Sequence, residues 1–147
     1  MVDTSVLVAA AVSVLHVHHR PSQAAYLAAD KNTSSCAGHG LAEVYAVLTR
    51  LPGKQRISCD QALLFVDDLR EQFATIALAE TEYYSAITDA AAEGIVGSTV
   101  YDAVIARCAL KGKATVLLHL ELGPFSSPRA RGRETGMHAI NRSRGPR

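Results

Sequence analysis

The stretch VDTSVLVAAA, residues 2–11, sets a short β-branched apolar run around a single acid, Asp3, and then passes into small residues. It reads as a buried strand, and a carboxylate inside such a run is costly unless it is paired or metal-bound. Working outward, Pro21 suits the first turn of a helix over Ser22–Asp30, and Ser34–Ala37 reads as a short second strand followed by a His39-Gly40 turn. Leu41, Val44, Tyr45 and Leu48 fall at i, i+3, i+4 and i+7, one helical face that ends at Pro52-Gly53. Ser58-x-x-Gln61 resembles a capping box opening the next helix. Phe73–Leu78 reads as a strand, Thr81–Glu93 as a helix stopped at Gly94, Thr99–Leu110 as a helix stopped by Gly112, and Ala114–Leu120 as a last apolar strand. Strands alternating with helices imply a parallel α/β sheet covered on both faces, with ligands at the carboxyl ends of its strands.

Most acids sit where a solvated helix face would put them, but Asp3, Glu43 and Asp102 do not. Glu43 reads as a first-turn residue beside the Leu41/Val44/Tyr45 stripe, and Asp102 as a first-turn residue beside Val100, Ile105 and Ala106. Each has a plain structural reading: a turn cap for Asp3, a helix-dipole position for Glu43 and Asp102, and a Thr99-x-x-Asp102 capping box. Gathered at one place, carboxylates repel, and a hard divalent cation such as Mg²⁺ or Mn²⁺ resolves that repulsion and activates water at a phosphodiester.

VDTSVLVAA, the helix LAEVYAVLTRLPG and the helix YDAVIARCAL, in that order over about residues 1–125, closely resemble the PIN-domain ribonucleases, and more narrowly the VapC-type toxins of bacterial toxin–antitoxin pairs. The resemblance implies a three-layer α/β/α sandwich with a mainly parallel central sheet. It implies a Mg²⁺- or Mn²⁺-dependent endoribonuclease acting as a toxin, with RNA as substrate, a cognate antitoxin as partner and a homodimer as assembly. It carries the family's acids onto Asp3, Glu43 and Asp102 as metal ligands, and the hydroxyl that supports the metal onto Thr4 or Ser5. The pattern departs after the last strand. The text HLELGPF, residues 119–125, stands where Thr-Trp-Asn or Thr-Trp-Asp and a Phe are usual, so Glu121 takes the fourth acidic position and His119 the Thr. With Leu120 and Leu122 buried, alternation turns Glu121 from their face, which casts it as an auxiliary ligand. Two other readings follow from the same residues: a catalytically impaired PIN-like domain that binds a partner, or another acid-cluster Mg²⁺-dependent phosphoester hydrolase.

The chain has 147 residues, enough for one domain. Its net charge of +1 hides an asymmetry, because residues 126–147 hold six Arg against Glu134 alone, giving +5, while residues 1–125 hold nine Lys or Arg against thirteen acids, giving −4. The tail is rich in Pro and Gly and reads as disordered, either a solvated extension or an arm for a phosphate backbone. Three cysteines, Cys36, Cys59 and Cys108, make no disulfide framework and suggest a reducing compartment. Asp3 stands where a signal peptide would carry Lys or Arg, and no stretch reads as a membrane span, so a cytoplasmic location is expected. His16, His18 and His19 read as a solvated loop, and His39 and His119 as turn residues satisfied by hydrogen bonds. Tyr83, Tyr84 and Tyr101 read as half-buried core.

Overall fold

A computed structural model describes residues 1–12 and 18–120, together with the backbone of residues 137–141. Its elements run α1 (Thr4–Ala11), α2 (His19–Leu27), β1 (Ser35–Ala37), α3 (Gly38–Arg50), α4 (Cys59–Gln72), β2 (Ala74–Ile76), α5 (Glu80–Ala92), α6 (Thr99–Lys111), β3 (Val116–Leu120) and β4 (Met137–Asn141). β1 pairs parallel with β2, and β3 pairs antiparallel with β4. Val2 joins the two pairs by parallel bridges to Cys36 and Leu118. The sheet therefore reads β2, β1, Val2, β3, β4, with its centre parallel and one antiparallel edge.

Strand alternation sends neighbours to opposite faces, and here it builds two cores. Val2, Cys36, Leu118 and Leu120 pack with Val6, Leu7, Val44, Leu48, Ala62 and Leu69 on the side of α1 to α4. Met1, Ala37, Ile76 and Leu117 pack with Ala86, Val104, Ile105 and Cys108 on the side of α5 and α6. The result is the expected three-layer α/β/α sandwich.

The opening decad is the main correction. Only Val2 lies in the sheet, and Thr4–Ala11 is helical. Val6, Leu7, Ala9 and Ala10 are all buried, so α1 shows no polar face, and periodicity cannot separate such a helix from a buried strand. α2 also begins earlier than expected, and His18 and His19 are buried instead of solvated; His19 Nδ1 lies 2.9 Å from the carbonyl oxygen of Ala9. His39 and Gly40 belong to the first turn of α3. Tyr84 and Tyr101 are exposed, and only Tyr83 packs against the core. The capping box at Ser58 and Gln61 forms as expected, with the Gln61 backbone N–H donating to Ser58 Oγ at 3.2 Å. Within the tail, Met137–Asn141 adds the antiparallel edge strand; the remainder of the tail, with Glu121, lies outside the described residues, as does His16. Among the described residues no helix is long and apolar enough to cross a membrane.

Candidate metal centre

The three parallel segments at the centre of the sheet end on one edge. Val2 leads into Asp3, β1 leads into His39 on α3, and β3 ends at His119 and Leu120. Asp3 is 4% exposed and stands at the N-cap of α1, yet its side chain makes no cap bond. Its backbone carbonyl instead accepts from the N–H groups of Val6 and Leu7, at 3.1 and 3.2 Å. The carboxylate is left for other partners. Ser5 Oγ donates to Asp3 Oδ2 at 2.7 Å, and the Leu120 N–H donates to Ser5 Oγ at 3.1 Å. The Ser5 hydroxyl thus clamps the start of α1 to the end of β3. His119 Nδ1 lies 2.5 Å from the same Asp3 Oδ2 and is the donor, because a carboxylate only accepts.

Glu43 does not sit in a first turn. α3 starts at Gly38, which moves Glu43 into the second turn and removes the dipole explanation, since that effect fades beyond the first turn. Its Oε2 is buried with no hydrogen-bond partner, and so is Thr4 Oγ1. Both ring nitrogens of His39 are equally unpartnered, with the ring stacked on Tyr101 at 6.4 Å between centroids. Burial pushes the His39 pKa below its ordinary value, while the charges of Glu43 and Asp3 pull it up. Asp102 does stand in the first turn of α6, but Ser98 is the N-cap and no side-chain cap bond forms, so the Thr99-x-x-Asp102 capping box is absent. Desolvation raises the Asp102 carboxyl; the His119 charge lowers it and the Asp3 charge raises it further.

Asp3 is the electrostatic hub. Its charge acts on Asp102 and, with that of Glu43, on His39, while Ser5 and His119 hold it directly. Among the described residues, no three His, Cys, Asp or Glu side chains stand close enough together to hold a metal ion. The donor chemistry nevertheless fits a hard divalent cation: an Asp102 carboxyl raised by burial and by the charge of Asp3, with two buried oxygens lacking partners. Sequence reasoning missed His119 as the direct partner of Asp3, a contact across 116 positions. The only local signal was an imidazole standing where a hydroxyl was expected.

No curated protein matches the chain closely enough to count as a relative. The model of the PIN domain family matches residues 1–122.

Proposed function

This chain belongs to the PIN domain family, whose members are in general metal-dependent nucleases, and on that premise we propose that it is a Mg²⁺- or Mn²⁺-dependent endoribonuclease acting as the toxin of a toxin–antitoxin pair. The observation that carries the reading is the buried Asp3 at the carboxyl edge of the sheet, with Glu43 Oε2 unpartnered and Asp102 within its field. Asp3, Glu43 and Asp102 are the residues that would hold the cation, with Glu121 as an auxiliary. A divalent ion bound there supplies a Lewis acid for water activation and for the charge that builds on a phosphodiester under attack. Ser5 fixes the rotamer of Asp3 by donating to one carboxylate oxygen and accepting from the Leu120 backbone, so the acid is positioned before any ligand arrives. α6 presents Asp102 on its exposed first turn, where a phosphate backbone has access.

The antitoxin part of the proposal draws support from α3 and α4. Val47, Leu63 and Leu64 leave exposed apolar surface on these adjacent helices, suited to an amphipathic partner helix. A second reading, a PIN-like domain that binds a partner without cleaving, is favoured by one observation: His119 already occupies Asp3 Oδ2. Incubation of the purified chain with total RNA separates the two. Cleavage that appears with Mg²⁺ or Mn²⁺ and stops with EDTA supports the nuclease, and intact RNA under every metal condition sinks it.

A further inference from the structure

Tyr101 precedes Asp102 on the first turn of α6 and is 53% exposed. Its ring stacks on that of His39, from the first turn of α3, with centroids 6.4 Å apart and planes inclined by 25°. Offset aromatic pairs at such separations attract beyond the area they bury. His39 thus backs the phenol ring and limits its rotation, while about half of the residue stays open to solvent. Both ring nitrogens of His39 are buried without partners, so what the imidazole supplies here is a ring contact and not a hydrogen bond. The surroundings are acidic: the charges of Asp3 and Glu43 act on His39, and Asp102 is the next residue after Tyr101. Such an edge repels a phosphate backbone wherever no cation stands between them. A neutral ring has no such handicap, because every base presents a π-face for stacking whatever the local charge.

We infer that Tyr101, held by His39, is a stacking step for an unpaired base of single-stranded RNA beside the acid cluster. The inference deepens the ribonuclease reading above and rests on it for the class of ligand. Single-stranded RNA is held in this way, with splayed bases laid on Tyr, Phe, His or Trp. Tyrosine has only two side-chain torsions to fix, and the His39 contact restricts them before any strand arrives, which lowers the entropy lost on binding. Tyr101 and Asp102 are chain neighbours, about 3.8 Å apart at Cα, so a base on Tyr101 keeps its own phosphate close to the acids. The step adds affinity without selecting a sequence. His39 acts through Tyr101 and is a positioning residue.

The test is binding of a short labelled single-stranded oligoribonucleotide to the full chain in EDTA, read by fluorescence anisotropy, beside an abasic strand of the same length. The full chain is used because residues 126–147 carry a charge of +5, which attracts the backbone of either strand. Tyr101→Ala should weaken binding of the RNA by roughly 5- to 150-fold, the loss of one stacked base. Tyr101→Phe should bind like the parent, and the abasic strand should bind the parent and Tyr101→Ala alike. His39→Ala should weaken RNA binding less than Tyr101→Ala does, and His39→Phe should restore it by returning a ring behind Tyr101. Circular dichroism of each variant confirms the fold. Parental RNA affinity in Tyr101→Ala overturns the inference, as does an equal loss on the abasic strand or a parent that binds no RNA. So does a Tyr101→Ala chain whose sedimentation shows a lost dimer while RNA affinity is unchanged, which gives the ring to a second copy. Intact RNA under every metal condition sinks the nuclease yet leaves the stacking step standing on these affinities; cleavage by Tyr101→Ala at the parental kcat and KM does the reverse.

Discussion

Asp102 shows how one side chain separates chemistry from architecture. It makes no cap bond, so Asp102→Asn removes a charge from the first turn of α6 and little else; losing the dipole interaction costs no more than about 0.3–1 kcal/mol. The expected outcome is a variant with a near-parental melting temperature that no longer cleaves RNA in a Mg²⁺ assay. Unfolding of Asp102→Asn would return the residue to a structural role. His39 makes a different prediction. Its folded pKa lies below the ordinary 6.5 because burial disfavours the charged ring. The neutral ring therefore contributes its full stability above about pH 6.5, and that contribution is lost as pH falls toward the folded pKa. Urea denaturation at pH 7.5 and 5.5 should show the parent losing more stability on acidification than His39→Phe, which keeps a ring against Tyr101. Asp3, Glu43 and Asp102 were legible as misplaced acids because each interrupts an apolar pattern. The His119 contact was not, since no local pattern encodes a partner 116 positions away.

At the scale of elements, α3 and α4 were readable because each has one apolar face and a definite signal, the Leu41–Leu48 stripe and the Ser58 capping box. α1 was not, because it is buried too completely to show a period. The seam between α1 and α3 carries its own prediction. A Cβ added at Gly40 would stand 3.0 Å from Thr4 Oγ1, tight enough that the Thr4 side chain must give by a few tenths of an ångström. Gly40→Ala gains up to about 1 kcal/mol of helix propensity but meets an overpacking cost of about 1–3 kcal/mol. The crowding should win: a melting temperature lowered by a few degrees, measured by calorimetry, with recovery in the Thr4→Ser, Gly40→Ala double variant if the Thr4 methyl is what prevents relief. A Gly40→Ala protein more stable than its parent would show that the helices slide apart freely.

The whole molecule is organised by alternation on very short strands. β1 and β2 have three residues each, yet the two cores are sorted cleanly because Met1 and Val2, Cys36 and Ala37, and Leu117 and Leu118 divide between opposite faces. The α/β order was legible from strands alternating with helices. The edge strand β4 was not, since strand addition needs only backbone groups, and the surrounding Arg, Gly and Pro pointed to disorder. The middle of the sheet belongs to residues that elsewhere would fray. The Val2 amide donates to Ser35 at 2.8 Å, the Asp3 amide to Leu118 at 3.0 Å, and Leu118 returns a bond to Met1 at 3.0 Å. Chain ends usually trade their amide protons with solvent almost at once, through local openings that leave the remainder folded. Here the amides of Val2 and Asp3 have no such private route: freeing them parts β1 from β3 and opens both cores. In deuterated buffer they should be among the last protons to disappear, at the pace set by global unfolding, well after the exposed face of α5 has emptied.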